Sequence, residues 1–122
     1  MKYLTLEELL AIATAVNGGH AAVRDAGLLA ASAERPRTTV FGHEAYPRLI
    51  DKAAALLHSI ARNYALVDGN KRTAFLAAAI MLRINGEHVK AFPEAQEKAT
   101  NAIAQGDMEV PEIATLLKEW IK

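Results

Sequence analysis

Val67-Asp68-Gly69-Asn70-Lys71-Arg72-Thr73, running on into Ala74-Phe75-Leu76-Ala77-Ala78-Ala79-Ile80-Met81-Leu82-Arg83-Ile84, is the stretch on which the fold turns. Asp-Gly-Asn is turn chemistry, since these residues accept left-handed backbone and bond their own main chain. From Ala74 to Leu82 no charge interrupts the run, and a helix apolar on all sides belongs in the middle of a bundle. Asn85-Gly86 then supplies a left-handed stop. Lys71 and Arg72 fall in the first turn of this expected central helix, against the positive end of its dipole. Cations there are disfavoured by roughly 0.3–1 kcal/mol each. Unpaired helix N–H groups, a glycine that permits close approach and two cations together describe a phosphate cradle.

The flanking segments carry their own start and stop signals. Thr5 and Glu8 form a capping box with Leu4 and Leu9 as its hydrophobic staple, so a first helix runs to about Val16 and stops at Asn17-Gly18-Gly19. Asp25 caps a second helix, Ala26 to about Glu34, ended by Pro36. Arg35-Pro36-Arg37-Thr38-Thr39-Val40-Phe41-Gly42 lacks helical period and predicts an extended flap or short hairpin. Pro47 suits the first position of a third helix, on which Leu49, Ile50, Ala53, Leu56, Leu57 and Ile60 recur at helical spacing. Pro93 opens a fifth helix to about Gln105. Gly106-Asp107 breaks it, and Pro111 opens a sixth that reaches Trp120, a core or packing-edge residue. The expected fold is all-α, a single domain over residues 1–122: about six helices around a buried central one, with a short β-like flap.

The 122 residues are 52% hydrophobic, with 14 basic and 14 acidic side chains and no cysteine. A net charge of zero provides no general field for nucleic acid or an anionic membrane, so any phosphate binding has to be local. Absence of cysteine removes disulfides and thiolate metal sites, and suits a cytoplasmic setting. Met1-Lys2-Tyr3-Leu4 is not the start of a signal peptide, and no apolar run reaches spanning length. His20, His43, His58 and His88 lack metal-ligand spacing, which leaves them structural or surface roles.

Tyr64-Ala65-Leu66-Val67-Asp68-Gly69-Asn70-Lys71-Arg72 resembles the signature loop of the Fic/Doc superfamily. That loop reads histidine, any, aromatic, any, acidic or Asn, Gly or Ala, Asn, Lys or Gly, Arg. Asn-Lys-Arg followed by Thr73-Ala74 resembles the Doc (death-on-curing) branch, whereas the Fic adenylyltransferase branch usually has Gly where Lys71 stands. The likeness extends through Asp25-Ala26-Gly27-Leu28-Leu29, the flap, Leu49 to Arg62, and Leu82 to Gly86. Two positions depart from the pattern. Leu66 replaces the aromatic residue, a mild change because both anchor the loop in the core. Tyr64 stands where the family has its catalytic histidine, which takes the proton from an attacking hydroxyl. An imidazole titrating at about 6.5 does this at neutral pH, and a phenol titrating at about 10 does not. Loss of a general base lowers the rate by roughly 10²–10⁴-fold. Either an inactivating replacement that lets a toxin be expressed or a natural member with dulled catalysis accounts for the tyrosine.

The resemblance implies a role for each remaining position. Asp68 would hold the Mg²⁺ that bridges the phosphates of ATP, although as a residue type it also serves as a turn former or cap. Gly69 and the N–H groups of Asn70 and Lys71 would make the anion nest, with Asn70 fixing the loop or a phosphate oxygen. Lys71 would meet phosphate as a point charge and Arg72 would grip it bidentately; a solvated helix end is the bland alternative for the pair. Arg37, Thr38, Thr39 and Val40 would form the flap that positions the target peptide, or else an ordinary surface loop. The implied activity is phosphoryl transfer from ATP to a threonine of elongation factor Tu, which halts translation. The implied partner is a cognate antitoxin acting in trans. AMP transfer to a protein hydroxyl, or a non-catalytic scaffold that binds nucleotide or a partner, are the alternatives.

Overall fold

The computed structural model covers Met1–Lys122. Six helices are present: α1 (Leu6–Val16), α2 (Ala26–Glu34), α3 (Leu49–Asn63), α4 (Asn70–Ile84), α5 (Pro93–Ala104) and α6 (Val110–Trp120). A 3₁₀ turn at Arg35–Arg37 continues α2 past its end, and two short strands, β1 (Thr39–Val40) and β2 (His43–Glu44), follow it. The all-α bundle with one small antiparallel flap is therefore the fold. No helix is long and apolar enough to cross a membrane.

Local chemistry explains the boundaries. At the start of α1 the Glu8 N–H donates to Thr5 Oγ1 at 3.1 Å while Glu8 Oε1 accepts from the Thr5 N–H at 2.9 Å, and Leu4 and Leu9 are both buried. The Asp25 carboxylate accepts from the Leu28 N–H at 3.0 Å and opens α2. Pro93 is the first residue of α5. Glu109 caps α6 and Glu112 reaches back to its N–H at 3.0 Å, with Pro111 one residue inside. One expected boundary moves. Pro47 precedes the cap of α3 instead of opening it, and Arg48 stands at the cap in extended conformation.

The central position also differs from the expectation. Helix α3, not α4, is the most enclosed element: Lys52, Ser59 and seven apolar residues on it are buried, and it packs against α2, the 3₁₀ turn, α4, α5 and α6. Helix α4 is its principal partner, and Leu76 and Ile84 on α4 reach the surface. Alanines explain the close approach, since Ala53, Ala54, Ala61, Ala74, Ala77 and Ala78 are fully enclosed in one continuous core with Leu56, Leu57, Ile60, Met81 and Leu82. Trp120 closes an edge of that core, its ring edge-on to Phe75 at 5.9 Å between centroids.

The flap is stiffly mounted. Its strands pair Thr39 with Glu44 and Val40 with His43 across a Phe41-Gly42 turn in which both residues have positive φ, the geometry of a tight two-residue hairpin. Glu44 receives the ammonium of Lys52 at 2.8 Å, a lysine that is only 2% exposed. Burial alone would lower the Lys52 pKa, but Glu44 and Tyr3 outweigh it and the net shift is upward. On the same side the guanidinium of Arg37 lies 4.4 Å from the centre of the Tyr3 ring.

Candidate active site

The loop between α3 and α4 starts on a strained residue. Tyr64 ends α3 with φ 50° and ψ 42°, a left-handed conformation that a non-glycine residue adopts at a cost of about 1–2 kcal/mol. Such strain persists only where the surroundings over-determine it. The determinants here lie far off in sequence. The N–H groups of Arg24 and Asp25 both donate to the Ala65 carbonyl, at 2.7 and 3.0 Å, and the Val67 N–H donates to the Ala22 carbonyl at 2.9 Å. Leu66 is fully enclosed in the core, as expected of a residue in the family's aromatic position. A short ladder between two segments of the chain thus holds the loop before α4 begins.

Asn70 completes the clamp. Its side-chain Oδ1 accepts from the Leu66 N–H at 3.0 Å and its Nδ2 donates to the Leu66 carbonyl at 2.9 Å. Both ends of the amide bind the loop, so of the two tasks expected of Asn70 the structure displays the first. Gly69 precedes it at φ 77°, the conformation for which glycine has the least penalty. A Cβ on Gly69 would also come within 2.6 Å of Asn17 Oδ1.

The first hydrogen bond of α4 runs from the Thr73 N–H to the Gly69 carbonyl at 2.9 Å. The N–H groups of Asn70, Lys71 and Arg72 therefore precede the ladder, as at any helix start. The Gly69 N–H donates to Asp68 Oδ1 at 2.8 Å, so the loop's own carboxylate lies at the mouth of the nest. Asp68, Lys71 and Arg72 are all exposed. Lys71 offsets its unfavourable place at the dipole by donating to Asn101 Oδ1 on α5 at 2.7 Å. Arg72 takes part in none of the three ion pairs of the molecule. It opens with Lys71 onto a groove of about 730 Å³ between α4 and α5, lined also by Phe75, Gln96, Glu97 and Thr100. That volume is in the range of small-molecule sites.

Tyr64 is 46% exposed and its hydroxyl lies 3.5 Å from the Ala104 carbonyl, at the outer limit of a hydrogen bond. Ala104 is one turn along α5 from Asn101, so the phenol and the Lys71 ammonium dock on adjacent turns of one helix. His58 is not a stand-in base: its imidazole faces Glu109 at 3.5 Å. Burial, then Arg35 and Arg62, push its pKa down, with Glu109 opposing. The flap residues Arg37, Thr38, Thr39 and Val40 are exposed. Their anchor Lys52 precedes Tyr64 by twelve residues on α3, about 18 Å at the helical rise. Sequence reasoning missed Asn17 and Asn101. Both are polar side chains on other helices, and no local signal marks them as neighbours of the loop.

An all-α bundle that presents a clamped Asp-Gly-Asn-Lys-Arg loop at the head of an inner helix defines the class: the chain belongs to the Fic/DOC family, whose model matches residues 3–82. Within that family it is of Doc type. It is 49% identical over 118 residues to Toxin Doc of Mycolicibacterium smegmatis, spanning 95% of this chain and 91% of that protein. It is 32% identical over 121 residues to Protein kinase doc of Escherichia phage P1, spanning 97% of this chain and 94% of that one.

Proposed function

We propose that this chain is the toxin of a toxin–antitoxin module, built to move the terminal phosphoryl group of ATP onto a threonine of elongation factor Tu and impaired in doing so by Tyr64. The observation that carries this reading is the loop itself, with three helix-start N–H groups, an exposed carboxylate and two exposed cations on a backbone clamped by Asn70. The names Toxin Doc and Protein kinase doc, borne by relatives that match nearly the whole chain, support the toxin and kinase parts of it.

The donor set fits a nucleotide-borne Mg²⁺. No group of three or more His, Cys, Asp or Glu side chains could hold a metal alone, and Mg²⁺ is commonly held by one or two carboxylates plus substrate phosphates and water. Asp68 would be that carboxylate. The metal would neutralise phosphate charge, while Gly69, Lys71 and Arg72 bind and orient the phosphates, which is most of what phosphoryl transfer asks of a protein. A base is the missing part. Tyr64 stands at the sequence position of the histidine that, in the family, takes the target's proton. A cognate antitoxin would restrain the active form in trans.

Tyr64→His is the test. Incubated with elongation factor Tu and γ-labelled ATP, the variant should transfer label at a rate at least about 10²-fold above the parent. Label arriving from α-labelled ATP instead would reassign the reaction to AMP transfer. Transfer from neither would remove the enzymatic reading and leave a binding scaffold.

A further inference from the structure

We propose that Asn17, at the end of α1, is a positioning residue that decides which way the Asp68–Gly69 peptide faces, and so whether the cradle presents a donor or an acceptor. The inference rests on the reading of the loop as a phosphate site. Asn17 Nδ2 donates to the Asp68 carbonyl at 3.2 Å across 51 residues of sequence. In a trans peptide the carbonyl and the following N–H point in opposite directions. Holding the Asp68 carbonyl toward α1 therefore turns the Gly69 N–H away from α1. There it meets a negatively charged oxygen, Asp68 Oδ1, at 2.8 Å.

The Asn17 bond and that short intraloop bond are the two hydrogen bonds on the peptide, and only the Asn17 bond ties it to another element. Gly69 has no Cβ and tolerates either sign of φ, so rotation about the plane is sterically cheap. The flipped peptide would direct a carbonyl oxygen at an incoming phosphate. Asn17 opposes the flip by its hydrogen bond and by its position, with its amide packed across Gly69 closely enough to exclude a Cβ. Its own place is set by the helix it ends. Asn17 caps α1 with φ −98° and donates its N–H to the Ala13 carbonyl at 3.0 Å, and Gly18 and Gly19 then turn the chain away with positive φ. The end of α1 is thus part of the site.

The test compares the full chain with Asn17→Ala and Asn17→Asp. The aspartate is the same size but sets a carboxylate oxygen against the Asp68 carbonyl. Mg²⁺ and ATP are titrated calorimetrically into each, and hydrogen exchange is followed at the Gly69, Arg24 and Val67 amides. The apparent Kd should rise about tenfold in Asn17→Asp and several-fold in Asn17→Ala. Gly69 exchange should accelerate while Arg24 and Val67, in the neighbouring ladder, keep their protection. A Kd within twofold of the parent in both variants overturns the assignment. So does loss of protection at all three amides together, which is the mark of a general structural role. A parent chain that binds no Mg²⁺·ATP overturns the reading of the loop, and this inference with it; a parent that binds while both variants bind equally well overturns only the role of Asn17.

Discussion

Asn70 shows how one side chain converts a motif into a shape. Its two polar atoms satisfy both backbone groups of Leu66, a residue with no solvent access. Asn70→Ala would leave a buried N–H and a buried carbonyl without partners, each worth about 1–3 kcal/mol. Urea unfolding of that variant should show a loss of about 2–4 kcal/mol, with the slope of the transition unchanged. A loss below about 0.5 kcal/mol would mean that water or a backbone shift satisfies Leu66 instead. At this scale the sequence was readable where chemistry is local. Gly69 as a left-handed turn residue and Asn70 as a loop fixer both follow from residue type. The strain at Tyr64 was not readable, because residues 22–25 impose it. The acceptor for Lys71 was not readable either, because it lies 30 residues downstream.

Helices were legible wherever a cap or a breaker marks them. The Thr5–Glu8 box, the Asp25 cap, Pro93 and Gly86 give the ends of α1, α2, α5 and α4 directly. The relative depth of α3 and α4 was not legible. Uniform apolarity is visible in α4, whereas α3 hides a lysine and a serine whose partners sit on other elements. Ser59 meets Ser32 of α2 at 2.8 Å, and Lys52 meets Glu44 of the flap. That ion pair makes a prediction about the flap. Glu44→Ala leaves a buried ammonium with the Pro36 carbonyl at 3.4 Å and the Tyr3 ring at 5.7 Å as its remaining neighbours, and should destabilise by about 1–3 kcal/mol, since Glu44 is half exposed. Lys52→Met keeps the aliphatic stem and removes the charge, so its thermal stability should match or exceed that of the parent. Equal losses in the two variants would mean that the flap, and not the buried charge, is what the pair stabilises.

Stability of the whole molecule should depend on acidity through His58. Its pKa is pushed below the ordinary 6.5 by burial and by Arg35 and Arg62. The folded state therefore favours the neutral ring. Above about pH 6.5 the ring is neutral in both states and the molecule has its full stability. As pH falls below that value the unfolded chain takes up the proton first, and stability declines until the folded-state pKa is passed. Denaturation curves at pH 7.5 and 5.0 should differ less for His58→Gln than for the parent. Identical differences would show that carboxylates alone carry the acid sensitivity.

The ladder between residues 22–25 and 65–67 has a consequence for how the protein comes into being. An α3–α4 hairpin is a local structure and can form early, but by itself it leaves the motif without its shape. Joining the two segments closes a loop of about forty residues, an entropic toll that only long-range contacts repay. The loop's shape is therefore acquired late in folding, after the helices that flank it.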